Sequence, residues 1–186
     1  MGNKKNKVKF NIKNVHYALK TDTGYGTPKP IPGAVSISLE AQGELSPFYA
    51  DGIKYYVSSS NNGYEGDLEM AMIPDEFRID ILGEKNDENN VIVENVNTES
   101  IIFAIGFDID GDVKTTRFWF YNCTATRPST EAKTAEDSKE PTTDKLKISC
   151  APLSNGNVRA KTTEDTNNEI YANWYDEVYI PTTVTA

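Results

Sequence analysis

Histidine, cysteine and long apolar runs are all scarce in this chain, and each scarcity removes a class of chemistry. His16 is the only histidine among 186 residues. A Ser-His or Cys-His catalytic pair would have to use it, yet in an alternating strand pattern it shares a face with Asn14 and Ala18, and no orienting carboxylate stands beside it in sequence. The two cysteines, Cys123 and Cys150, lie in separate apolar, strand-like stretches. With one histidine they cannot make up the four ligands of an ordinary zinc site, so buried thiols are expected. The residues therefore point to no catalytic group, no metal and no cofactor. No run of 18 apolar residues occurs, and the opening "MGNKKNKVKFNIKN" lacks the apolar stretch of a leader. The initial Met-Gly is followed by Lys5 and Asn6 where an acylation signal expects small hydroxyl residues. A soluble, intracellular chain without a membrane partner is expected.

Bases are also in the minority, 19 against 28 acids, for a net charge of -9. DNA is therefore not attracted to the chain as a whole, since binding it depends on neutralising phosphates with cations. The charge is uneven. Met1 to Lys20 holds six lysines and no acid, so the remainder carries -15 (-9 minus +6). Beyond Lys161 come Glu164, Asp165, Glu169, Asp176 and Glu177 with no Lys or Arg, which makes the two ends complementary. Hydrophobic content is 38%, but ten Tyr, seven Phe and two Trp are too many for a disordered chain. The length suits a single domain over 1–186.

What is abundant is alternation of period two. Val8, Phe10 and Ile12 alternate with polar residues, and Val15, Tyr17 and Leu19 continue with opposite parity, which requires a bulge near Lys13 and Asn14. "YGTPKPIPG" can only be an extended or turning connector. Val35, Ile37 and Leu39 mark a half-buried strand, and "SPFYADGIKYYVSSSNNGYEG" reads as a long hairpin or loop. "IPDEFRIDILG" is the one helix signal, with Pro74 at its start, Phe77 and Ile81 on one face and Gly83 at its end. "VIVENV" and "SIIFAIGFDI" read as strands, and Asp110-Gly111-Asp112 turns the latter into "VKTTRFWFYNCTAT". The stretch 127–144 is a long exposed loop. "KLKISCAPL" is a strand, "SNGN" a turn, "VRAKTT" a returning strand, and "EIYANWYDEVYIP" a last aromatic strand. About nine strands and one short helix predict a mainly β fold, a sandwich or barrel with long connections.

Within "GYEGDLEMAMIPDEF", Glu65, Asp67 and Glu69 stand two apart while Leu68, Met70 and Met72 fill the alternate places. On a strand that makes an acidic row, with about 6.7 Å between neighbours, opposite an apolar row expected in the core. Three functions suit the row: a cation site, the acid pair of an inverting glycosidase, or a solvated wall. Three consecutive acids on one face repel one another, which favours the solvated wall. "FDIDGDV" imitates a calcium loop, but its glycine falls too early and no Glu closes it, so a hairpin turn is expected.

Taken in order, "IPGAVSISLE", "FYADGIKYY", "NNGYEGDLEMAMIPDEFRIDILGE", "FDIDGDV", "FWFYNCTATRPSTEAKT" and "NWYDEVYIP" resemble the major tail protein, or tail tube protein, of long-tailed bacteriophages of Gram-positive bacteria, over about Lys7 to Thr182. The resemblance implies a non-enzymatic tail-tube-type β-sandwich or barrel with one short flanking helix, long loops and a basic arm at 1–7. It implies hexameric rings stacked into a tube that conducts DNA without binding it specifically. The implied partners are the chain itself and the tape measure, distal tail and terminator proteins, in the virion tail and, during assembly, the host cytoplasm. On this reading Glu40, Glu65, Asp67 and Glu69 are expected to line the lumen, because an acidic wall does not hold a polyanion. Lys4, Lys5, Lys7 and Lys9 are expected to meet a neighbouring subunit, at a surface such as that of Asp176 and Glu177. The aromatic content alone would also suit a carbohydrate-binding β-sandwich.

Overall fold

The computed structural model describes residues 4–132, 134 and 141–181. The chain opens with β1 (Lys9–Thr21), whose parity switch is accommodated as expected: Asn14 takes a positive φ of 58°, and the register slips between Lys13 and His16. Two short strands, β2 (Gly24–Tyr25) and β3 (Lys29–Pro30), fold back onto β1. There follow β4 (Ala34–Gln42), β5 (Leu45–Ala50), β6 (Ile53–Ser59) and β7 (Gly63–Met70), then α1 (Asp75–Asp80). The pair β8 (Lys85–Asn86) and β9 (Ile92–Val93) precedes β10 (Phe103–Gly111), β11 (Thr116–Ala125), β12 (Asp144–Cys150), β13 (Arg159–Lys161) and α2 (Asn168–Ala172).

The main sheet is ordered β2-β1-β10-β11-β12-β7-β4, with β3 attached to β1 and β13 to β11, and every pairing is antiparallel. The sheet curls until β4 and β1 come within 8 Å between Cα atoms without pairing, so the fold is sandwich-like and not a closed barrel. Its inner face carries the larger core, built from the inward parity of each strand: Val15 and Tyr17, Phe103 and Ile105, Leu146 and Ile148, Leu68 and Met70. Helix α1 closes one end of that core. Its Phe77 sits edge-on to Tyr17 and Phe103, with ring centres 5.1 and 5.8 Å away, and the Tyr17 hydroxyl donates to Asp80 at 2.7 Å. Burial first, and that carboxylate second, hold the Tyr17 phenol far above its ordinary pKa.

A second core lies on the outer face, where Ala18, Ala104, Trp119 and Tyr121 are covered by Trp174 and Val178 from the C-terminal segment. The Trp119 indole N–H donates to the Trp174 carbonyl at 3.0 Å. Gly106 makes room for that indole, since a Cβ there would lie 2.8 Å from the ring. Gly66 is tighter still: a Cβ would stand 1.7 Å from the Ser38 carbonyl oxygen on the adjacent β4. Replacing Gly66 by alanine must push β4 away from β7, and a loss of about 1–3 kcal/mol is expected from such overpacking. Urea unfolding checks this, and a midpoint unchanged from wild type would show that β4 is loosely held.

Four expectations from the sequence are corrected. "EIYANWYDEVYIP" is not a strand: it forms α2 and a run of turns, because the Asn167 side chain accepts the Glu169 N–H at 2.8 Å and starts a helix. "SNGN" does not reverse the chain. β12 pairs with Cys123–Ala125 and β13 with Phe118–Phe120 along the same edge of β11, so residues 151–158 bulge out and the chain then resumes its course. "VIVENV" contributes only Ile92 and Val93, paired with β8. Met72 is 71% exposed and does not pack in the core: β7 ends at Met70, and Ile73 turns inward in its place. The two cysteines are free and buried as expected, facing each other across β11 and β12. The expected loop at 127–144 lies partly outside the described residues.

Candidate functional site

β4 through β7 form one long hairpin in two halves. Near its middle, Ser60 N–H donates to Glu44 O at 3.0 Å, Asn62 N–H to Gln42 O at 2.8 Å and Glu44 N–H to Ser60 Oγ at 3.0 Å, so the ladder passes from the main sheet into β5 and β6. The base half, β4 and β7, belongs to the main sheet, and the outer half is a two-stranded sheet of its own. At the tip, Asp51 and Gly52 both have positive φ, 53° and 75°, as a tight two-residue hairpin turn requires. Every residue of the outer half from Leu45 to Tyr49 and from Ile53 to Ser59 is exposed. Phe48 and Tyr56 face each other across the strands, 61% and 62% exposed, and Tyr55 on the alternate parity is 69% exposed. A two-stranded hairpin is at best marginal alone in water. Apolar side chains on both faces mark it as a surface made to be covered.

The acidic row forms as the spacing predicted. Glu65 and Asp67 are exposed and Glu69 is half-buried, all on the outer parity of β7. Glu40 on β4 stands directly opposite Glu65, and Ser38 opposite Asp67. On the other side β12 places Lys147 opposite Asp67 and Lys145 opposite Glu69. The two lysines were visible in "KLKIS" as a polar parity, but only the pairing shows that they flank the acids. Four acids and two lysines give this face a net of -2. Glu69 accepts from Thr143 Oγ1 at 2.6 Å and Ser36 Oγ at 3.0 Å, and these bonds, the Thr143 one foremost, lower its pKa. Among the described residues no group of His, Cys, Asp or Glu is arranged to hold a metal.

The described part of the basic arm is docked on its own subunit through Asn6 and Lys7. Asn6 bridges the β10–β11 turn, its side-chain oxygen accepting from Val113 and Lys114 N–H at 2.9 and 3.0 Å, while its own N–H donates to Glu164 at 2.7 Å. Lys7 N–H donates to Asp112 at 2.7 Å. The side chains of Lys4, Lys5, Lys7 and Lys9 remain exposed, as do those of Asp176 and Glu177 in the C-terminal layer. In "FDIDGDV" the three acids serve three different protein groups. Asp108 is buried and accepts from Tyr175 OH at 2.6 Å, Asp110 pairs with Lys13 at 2.6 Å, and Asp112 holds the arm. This is the expected hairpin and not a cation loop. His16 stacks on Tyr175 at 4.2 Å, with no carboxylate among its hydrogen-bond partners.

Sequence reasoning missed the polar anchor of the C-terminal layer. Besides Tyr175, Asp108 accepts from Asn14 Nδ2 at 3.2 Å, and Arg117 lies over the Tyr171 ring and donates to the Tyr171 carbonyl. Burial, and then the Asp108 carboxylate, push the Tyr175 phenol far up. The signal was a buried-parity acid in an otherwise apolar strand, which demands partners.

Among the described residues the features that stand out are an uncovered hairpin, an ordered charged face and a docked basic arm. Among the described residues no helix is long and apolar enough to cross a membrane. A comparison with curated proteins gave no match. The sequence profile of phage tail tube proteins, in contrast, matches residues 11–179, from within β1 to the end of the C-terminal layer. Nearly all of the main sheet, the long hairpin and the buried residues of both cores lie inside that match, and the chain belongs to the phage tail tube protein family.

Proposed function

We propose that this chain assembles into hexameric rings, that the rings stack into the tail tube, and that DNA leaves the capsid through the bore. Family membership makes the protein a structural component of the virion tail that self-associates and joins other tail proteins. The observation that carries the finer reading is the projecting half of the hairpin, whose exposed Phe48, Tyr55 and Tyr56 need a second subunit to cover them. The protein acts by shape and charge and not by catalysis. It assembles in the host cytoplasm, its ends meeting the distal tail and terminator proteins and its bore holding the tape measure.

The face bearing Glu40, Glu65, Asp67 and Glu69 lines the lumen. Sixfold repetition multiplies its net negative charge, which repels phosphate and removes the counterion-release gain that would hold DNA to the wall. Lys145 and Lys147 moderate this charge and offset the mutual repulsion of the acids. Replacing the four acids by lysine is expected to leave ring formation intact and to slow DNA ejection strongly. Ejection at the wild-type rate would place this face elsewhere in the particle.

A further inference from the structure

The two ends of the subunit, taken along the strand direction, differ in charge and in apolar character. β7 runs from Gly63 toward α1, and β10 runs from Phe103, beside α1, toward Gly111, so the topology fixes which features share an end. At one end are the projecting hairpin, the β10–β11 turn, the basic arm and β13. A groove there is lined by Lys7, Lys9, Arg159 and Lys161 over Phe118 and Ile109, with Asp110 and Glu164 beside them. All four cations are exposed. At the other end, residues 75–99 contain eight acids and two bases, a net of -6, which Lys29 on Glu76 and Asp80 and Arg127 on Glu94 bring to -4. The segment after α1 also presents Val91, Val93 and Val96, 55%, 49% and 85% exposed, together with Ile101 and Ile102. It is held in place by Ile101 N–H donating to Ile81 O at 2.8 Å and by Arg127, which pairs with Glu94 at 2.9 Å.

We infer that the basic, hairpin-bearing end of one copy docks on the acidic, valine-rich end of the next, and that this is the ring-to-ring contact of the tube. The inference rests on the tube reading and names the surfaces it would use. Within one subunit the ends are separated by the length of β10, roughly 30 Å for nine residues, well beyond the screening length of about 8 Å at physiological salt. The acids left without a cation at one end, Glu88 and Glu99 among them, therefore meet the exposed cations of the other end only between copies. A contact that joins two different ends of the same chain is heterologous, and along a shared axis, where it does not close on itself, it repeats copy after copy, as stacking requires. Aromatic side chains on the projecting hairpin supply the apolar half of the contact, and the exposed valines supply its counterpart.

The test uses the full chain and reads stacking by electron microscopy and by the pelletable fraction. Lys9→Glu with Lys161→Glu reverses one end, and Glu88→Lys with Glu99→Lys reverses the other. All four are exposed, so each double variant should melt close to wild type. Each is expected to form rings that do not stack, with pelletable tubes reduced at least tenfold, and the fourfold variant carrying both reversals should recover stacking. Double variants that stack like wild type would overturn the inference while leaving the tube intact. Double variants that fail even to form rings would move these charges to lateral contacts and overturn it as well. A wild-type chain that forms neither rings nor tubes would remove the tube reading itself.

Discussion

Replacing Phe48, Tyr55 and Tyr56 together by serine is expected to abolish tube formation while leaving the subunit folded. These side chains are 61%, 69% and 62% exposed, so the folded monomer loses little when they shrink. The assembled state loses a great deal. Burying one such side chain contributes about 1.5–3 kcal/mol, so three removed from an interface weaken each contact by about 4.5 kcal/mol or more, roughly a thousandfold or greater. Aromatic anchors are also the residues on which interfaces concentrate their energy. Sedimentation of the triple variant should show monomers or unstacked rings and no tubes at concentrations where wild type pellets, with thermal midpoints within a few degrees of each other. Tubes at wild-type yield would mean that the projecting hairpin is not an interface.

The largest effect on stability is expected at Trp119. It is fully buried on the outer face, its ring fills the space left by Gly106, and its N–H donates to the Trp174 carbonyl at 3.0 Å. Trp119→Ala removes the ring and leaves that carbonyl without its donor. The ring alone costs about 3–5 kcal/mol, and for a chain of this size each kcal/mol lowers the melting temperature by about 2–4 °C. A fall of roughly 6–20 °C by calorimetry is therefore expected. Amide exchange should rise first in residues 168–181, since Trp174 and Val178 lose the surface they cover. A fall of less than about 2 °C would show that the C-terminal layer contributes little to the fold.

Much of the architecture was legible because strands such as β7, β12 and the second half of β1 bury one face and not the other. Ile37 and Leu39 gave β4, although a register slip between Ala34 and Ser36 leaves Val35 exposed; the parity switch before Val15 gave the bulge at Asn14; and the turn expected at Asp110–Asp112 gave the β10–β11 hairpin, although β10 runs on to Gly111 and the chain turns after it. The C-terminal layer was not legible in that way. Its aromatic residues suit a strand by composition, but Trp174 and Val178 stand four apart and lie across the sheet without joining it. A hint was present in "FAIGF": Phe103 to Phe107 is apolar at both parities, which means burial on both faces and a second layer to cover the outer one.

The candidate face was half legible. Spacing gave the row of Glu65, Asp67 and Glu69, but the like charge of Glu40 opposite Glu65 and the lysines opposite Asp67 and Glu69 depend on which strands pair, and pairing is set by the whole fold. The alternation was carried two residues too far, to Met72. Ala71 N–H still donates to the Gly33 carbonyl at 2.7 Å, but Pro74 then starts α1, and the chain turns to bring Ile73 inward.

The central claim, that this chain builds a hollow tube from itself, is tested most directly by cryo-electron microscopy of the purified protein raised to high concentration, with tail-initiating proteins added where growth needs a start. The account predicts sixfold rings stacked into tubes with an open bore, the Glu40 and Glu65 face turned toward the bore and the β5–β6 hairpin buried between subunits. Dispersed monomers at every concentration, or solid filaments with the hairpin exposed to solvent, would contradict it.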